Sequence, residues 1–285
     1  MAYLRSQRER LTLSERAIRQ DLPDAAFDLR TAVRRIRAAL RTYRPLVADD
    51  QLVTELIDEL CRQLGRTVSV ARDAQVARAR ITAGLDELDD ELRRGPVRAL
   101  VSTHFAQVDA AANAALSEAL DSPRWLAVRS RLELFIDDPA LTVLAERPAG
   151  TELLVHIRST AKSLLEAVRT GDITDGGLHK VRKTARHLRE SALVARPVVG
   201  SPVKRSDRRL QKLQRMLGEH QDTVISRRAL AELHTTAQSA GQSGFTFALL
   251  YGQERARAEA VRNKLPRCWD RTWRPAYVGW LDAPW

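Results

Sequence analysis

Aromatic side chains are scarce: Phe, Tyr and Trp together make up 5% of the 285 residues. That is little for a β-sandwich or barrel, whose strands draw on aromatic and β-branched residues. Cysteine occurs twice, at Cys61 and Cys268. Two thiols cannot build a disulfide framework or a four-cysteine zinc site, and they suit a reducing compartment. No run of 18 apolar residues occurs, so no membrane-spanning helix is expected. The first ten residues lack the apolar stretch of a secretory leader. A soluble, cytoplasmic protein is the expectation. Lysine is rare as well, with six against 41 arginines. A nucleotide-composition bias explains that ratio, but it does not explain the formal charge of +11, which points to a polyanionic partner.

The motifs of catalysis are missing too. There is no Gly-x-x-x-x-Gly-Lys-Ser/Thr loop for a nucleotide, no Glu-x-x-His pair of the kind that holds two irons in a bundle, and no serine in a nucleophile elbow. His179, His187 and His220 would meet at a metal only by accident of tertiary structure. No catalytic residue, metal ligand or cofactor is nominated, and the chain reads as a binding protein rather than an enzyme.

What is present is helical periodicity nearly throughout. Apolar residues recur at three- and four-residue spacing, interrupted by Gly and Pro. The pattern predicts helices at 24–43, 50–64, 70–89, 97–120, 123–136, 149–169, 175–195, 203–219, 221–240 and 245–264, with a short one at 267–274 and a loop over Arg196–Pro202. A repeat is visible as well. Arg30, Arg34 and Arg37 recur as Arg182, Arg186 and Arg189, and Leu29, Val33 and Ile36 as Val181, Ala185 and Leu188. Farther on, the stretch from Asp73 resembles that from Asp222. Two matches in the same order suggest an internal duplication. The expected fold is all-α, two antiparallel helical bundles, 1–143 and 144–285, with a boundary near 138–150.

Three helices carry basic stripes. At about 100° per residue, Arg30, Arg34, Arg37, Arg41 and Arg44 fall within about 40° of one direction, with Leu29, Val33, Ile36 and Leu40 about 90° away. The arginines therefore flank the buried stripe, where two packed helices form a groove. In the second half His179, Lys183 and Arg186 share a face, with Arg182 and Arg189 at its edge. Arg205, Arg208, Lys212 and Arg215 form a third stripe. Like charges at i,i+4 each cost a few tenths of a kcal/mol. The stripes need either carboxylates on neighbouring helices or a polyanionic ligand, and both readings stay open. The interleaved Trp269, Trp273, Trp280 and Trp285 either dock the C-terminal tail onto the bundle or stack bases.

The segment from Leu178 to Arg189 resembles the signature helix of the CHAD family, the conserved histidine α-helical domain. Leu213–Asp222, with Gly218, Glu219 and His220, resembles that family's second motif; Leu29–Arg37 and Arg72–Asp73 are weaker first-half copies. The resemblance covers nearly the whole chain. It implies two four-helix bundles related by a pseudo-twofold axis, and a basic surface that binds inorganic polyphosphate, in some members at polyphosphate granules. Together with the basic stripes, it makes the expected polyphosphate site Arg30, Arg34, Arg37, Arg41, His179, Arg182, Lys183, Arg186, Arg189, Arg205, Arg208, Lys212 and His220. Phe27 stands where the first-half histidine belongs, so a symmetric histidine pair is not expected. The alternating Glu-x-Glu-x-Lys strand of the triphosphate-tunnel enzymes fused to some members is absent, so a stand-alone module follows. The alternatives are a nucleic-acid binder that grips RNA backbone, and a metal-dependent polyphosphate-processing enzyme needing clustered carboxylates, for which Asp73 and Asp222 are the only repeated acids.

Overall fold

Apolar residues at heptad-like positions and a supply of terminal caps give helices α1 (Ala2–Arg19), α2 (Ala25–Thr42), α3 (Asp50–Leu60), α4 (Thr67–Glu87), α5 (Val97–Asp121), α6 (Pro123–Asp137), α7 (Ala149–Arg169), α8 (Asp175–Val199), α9 (Ser201–Ser239), α10 (Phe245–Thr272) and α11 (Pro275–Val278). The structure, a computed structural model, describes residues 1–281 except Asp21, Pro23 and Arg66. Among the described residues there is no strand, only an isolated antiparallel bridge between Val47 and Leu141. The all-α expectation holds. Several helix starts are capped by side chains: Asp49 accepts from Leu52 N–H, Ser122 from Trp125 N–H and Thr174 from Gly177 N–H, each contributing about 1 kcal/mol.

Four expectations are corrected. Residues 2–19, for which no helix is expected by number, form α1; its buried stripe carries Gln7, Ser14 and Glu15 beside Leu11, and these polar residues mask the periodicity. The loop expected at Arg196–Pro202 shrinks to Gly200 at φ 73°, a left-handed turn that suits glycine. Pro197 lies in the last turn of α8, and Pro202 in the first turn of α9, where a missing N–H costs least. The two helices expected at 203–219 and 221–240 are one, α9, so His220 lies mid-helix and not at an end. The short helix expected at 267–274 is the end of α10, which runs through Pro266.

The chain divides into two compact units, 1–68 with 116–214 and 268–285, and 69–115 with 215–267. Each draws on both sequence halves, 1–143 and 144–285. The helices carrying the arginine repeat, α2 and α8, both belong to the first unit, whereas Asp73 and Asp222 both belong to the second.

In the first unit α1 packs along α2, α7 packs along α8, and α2 meets α8. Leu29, Val33, Ile36 and Leu40 of α2 enter a core with Leu11, Leu56, Leu60, Trp125 and Leu132. Each such side chain contributes about 1.5–3 kcal/mol on burial. The Trp125 indole N–H donates to the buried Glu15 carboxylate at 2.9 Å, and Arg129 completes the pair at 3.0 Å. Fully buried small residues on α8, Ala185, Ser191 and Ala195, accommodate close packing. The tail is docked on this unit: the Trp280 indole N–H donates to Ser206 Oγ at 2.6 Å, and the Arg209 guanidinium lies 4.2 Å from the Tyr277 ring centroid. Trp269 and Trp273 stack on each other, centroids 5.2 Å apart. Trp285 lies outside the described residues.

The second unit has its own core of Ile81, Leu85, Phe105, Leu230, Leu233 and Phe247. At Gly84 a Cβ would come within 2.9 Å of Leu250 Cδ2, so the small residue permits that helix contact.

Candidate functional site

The two readings of the basic stripes separate on who neutralises each arginine. In the second unit carboxylates do. Arg78 pairs with Asp109, Arg80 with Glu219 and Glu254, Arg98 with Asp86, and Arg257 with Glu87 and Glu254. In the first unit, α3 carries an acidic run, but it is taken up by Arg124 and Arg131 of α6, which pair with Glu59 and Glu55. The same run also reaches the end of the α2 stripe, where Asp50 pairs with Arg44; none of these pairs involves Arg34, Arg37 or Arg41 of α2, or Arg186 of α8.

Where α2 meets α8, the repeated arginines converge. Arg186 lies at the centre: burial pushes its guanidinium down to about 9, and the neighbouring charges of Arg182, Arg34 and Arg30 push it the same way against the opposing pull of Glu190. A guanidinium at that value is still fully protonated at pH 7. The Arg186 side chain makes no hydrogen bond or ion pair among the described residues. The carboxylate within the cluster is Glu190, buried on α8, which accepts from Arg34 Nε at 2.5 Å. That bond orients Arg34 and leaves its other N–H donors without a partner among the described residues. On α2, Arg37 Nε is likewise buried with no hydrogen-bond partner among the described residues. The repulsion of Arg182, Arg34 and Arg30 falls on Arg186, and a bound anion relieves it.

The helix α1, absent from the sequence reading, brings two more groups. Tyr3 lies within electrostatic reach of Arg35, Arg34 and Glu190, and of Arg10 on its own helix. Burial, then Glu190, pushes the Tyr3 phenol up against the pull of Arg35, Arg10 and Arg34. Its hydroxyl is buried and has no hydrogen-bond partner among the described residues.

Beyond Arg186 the helix contact becomes neutral. His187 Nε2 lies 2.9 Å from Thr42 Oγ1, Thr42 Oγ1 lies 2.6 Å from Ser191 Oγ, and the Tyr43 hydroxyl donates to the Ser191 carbonyl at 2.9 Å. Burial and the charge of Arg41 push His187 down to about 4, opposed by a hydrogen bond to the Ala38 backbone. His187 is therefore neutral at pH 7 and locks the two helices together rather than adding charge.

The remaining sequence-nominated residues are spread more widely. Arg41 is exposed near His187. His179 is half-buried in the first turns of α8, and Lys183 is exposed one turn later. Arg189 is tied to Asp207 at 2.6 Å. That pair, with Gln214 Nε2 donating to the Ala185 carbonyl at 3.1 Å, lays α9 antiparallel along α8. Arg205, Arg208 and Lys212 are exposed. Arg205 and Lys212 lie about 140–160° around α9 from Asp207, away from α8. His220 is buried in the second unit. Among the described residues no three His, Cys, Asp or Glu side chains gather as a metal site, and no helix is long and apolar enough to cross a membrane.

Comparison with known proteins gives the family and the fold. The model of the CHAD domain matches residues 2–231. Two Mycobacterium tuberculosis proteins, MT2285 of strain CDC 1551 / Oshkosh and Rv2226 of strain ATCC 25618 / H37Rv, are each 32% identical over 265 residues, 91% of this chain and 50% of theirs. The chain thus spans about half the length of the curated relatives it matches. Among solved structures, PptA from Streptomyces chartreusis superposes with a TM-score of 0.78 at 21% identity, covering 94% of this chain and 96% of that one. The crystal structure of the CHAD domain from the plant Ricinus communis superposes with a TM-score of 0.64 at 20% identity, covering 99% and 90%. At these identities the likeness is one of fold.

Proposed function

The chain belongs to the CHAD domain family, and from that premise we propose that it is a binding module for inorganic polyphosphate, held chiefly by the arginines of α2 and α8. The observation that carries this reading is Arg186, a half-buried cation among Arg182, Arg34 and Arg30. Polyphosphate presents about one negative charge per phosphate on a flexible chain, and each phosphate accepts charge-assisted hydrogen bonds from guanidinium forks. A groove between two helices suffices for such a ligand, and no base-stacking platform is needed. Lys183 and Arg41, exposed on the same two helices, then extend the positive surface along which a long chain runs, whereas Arg205 and Lys212 of α9 face away from α8. A place at cytoplasmic polyphosphate granules belongs to the same proposal.

The competing reading is a nucleic acid gripped through its backbone. The feature that favours it is Phe27, 49% exposed at the start of α2 and one turn from Arg30, where a base could stack.

The test is a titration of long-chain polyphosphate at increasing salt. Ligand binding at the arginine cluster releases condensed counterions, so affinity falls linearly in log salt, as it does for nucleic acids. Between about 50 and 200 mM salt we expect a loss of about 30- to 100-fold. A flat dependence contradicts the proposal. Binding is proposed to occur without turnover: incubation with Mg²⁺ or Mn²⁺ releases no orthophosphate beyond a heat-inactivated control, and steady release would assign the chain to the enzymes.

A further inference from the structure

We propose that Glu190 makes the arginine site select extended polyanions over compact phosphates; the inference rests on the polyphosphate reading and adds its selectivity. The residue is 3% exposed, too deep to touch a ligand directly. Its carboxylate is held by Arg34 Nε at 2.5 Å and acts electrostatically on Arg186 of its own helix and on Tyr3 of α1. Its position places a fixed negative charge beside Arg34 and within electrostatic reach of Arg186.

The consequence depends on how a ligand distributes its charge. Pyrophosphate must put several charges together at the Arg34–Arg186 focus to gain from the cluster. Each of those charges meets the Glu190 carboxylate across a poorly screened interior. A long chain carries one charge per phosphate and spreads its contacts over Arg30, Arg182 and Lys183 as well. It places only one or two charges near Glu190. The same carboxylate that orients Arg34 therefore costs a compact ligand more than an extended one.

A purely orienting role makes the opposite prediction: neutralising Glu190 would free Arg34 to wander and weaken every ligand alike. The experiment is calorimetric titration of the full chain and of Glu190→Gln with pyrophosphate and with long-chain polyphosphate at about 50 mM salt, with circular dichroism confirming the fold. The expected result is that Glu190→Gln tightens pyrophosphate roughly tenfold and the long chain by less than about threefold. Weakened or unchanged pyrophosphate binding, or equal tightening of both ligands, overturns the inference. Glu190→Leu, an apolar replacement of a kind buried ion pairs often tolerate, repeats the measurement if Gln does not fold. The unaltered chain gives an independent check: its preference for the long chain must exceed the number of overlapping registers that chain offers, and a purely statistical preference overturns the inference. Failure of the unaltered chain to bind polyphosphate at all would instead sink the proposed function, and this inference with it.

Discussion

Replacing Arg186 by methionine is expected to weaken polyphosphate binding while making the unliganded protein more stable. The two effects share a cause. In the free protein the Arg186 charge is half-buried and faces Arg182, Arg34 and Arg30, so its pKa is lowered well below the ordinary guanidinium value. A base whose folded pKa lies below its unfolded one destabilises the folded state at every pH where both forms are protonated, which includes pH 7. Methionine keeps an apolar stem in place and removes the charge. The expected gain at low salt is on the order of 1–2 kcal/mol, or about 2–6 °C in Tm. The loss of one central charge-assisted contact costs roughly 1.5–3 kcal/mol of binding, a factor of about 10–100. Thermal melts with and without polyphosphate read both: the variant melts higher alone and gains less from the ligand. A variant that melts lower and binds as before would show that Arg186 is an ordinary packing residue.

The second large effect is on acid stability. His187 is held neutral at about 4, whereas an unfolded histidine titrates near 6.5. Between these values the unfolded chain binds the proton and the folded chain does not. The stability from this site is thus fully present above about pH 6.5 and is lost as pH falls to about 4, amounting to on the order of 2–3 kcal/mol. Urea unfolding at steps from pH 7 to pH 4 should show the unaltered chain losing that much more than His187→Gln. Parallel curves for the two proteins would mean that His187 is protonated in the fold. Because His187 joins α8 to Thr42 of α2, its acid-induced loss should also loosen the helix pair that carries the arginines.

The sequence shows most of this architecture where periodicity and punctuation agree. The spans of α2, α5, α6 and α7 follow from apolar spacing bounded by Gly and Pro, and the arginine repeat names the two helices that meet. It conceals α1 because Gln7, Ser14 and Glu15 occupy core positions, with Trp125 and Arg129 satisfying Glu15. It suggests breaks at Pro197 and Pro266 because a proline's effect depends on its place in a helix, and both are tolerated. Within the site, the equal rank of Arg30, Arg34, Arg182 and Arg186 in the repeat hides that one is central. Glu190 and Tyr3 are invisible without the crossing of α1, α2 and α8. Glu190 follows the signature stretch with no pattern of its own, and Tyr3 lies in a segment with no recognisable motif. Distance in sequence, 156 residues between Arg34 and Glu190, is the reason: tertiary ion pairs leave no local trace.

The central claim is that the α2–α8 arginines recognise an inorganic phosphate chain rather than any polyanion. Its most direct test is competition: long-chain polyphosphate, duplex DNA and single-stranded RNA are titrated against the same chain at matched charge concentration and one salt concentration. The account predicts that polyphosphate displaces both nucleic acids and that Phe27→Ala leaves its affinity unchanged. Equal affinities for the three, or RNA binding that is tighter and lost in Phe27→Ala, would contradict it.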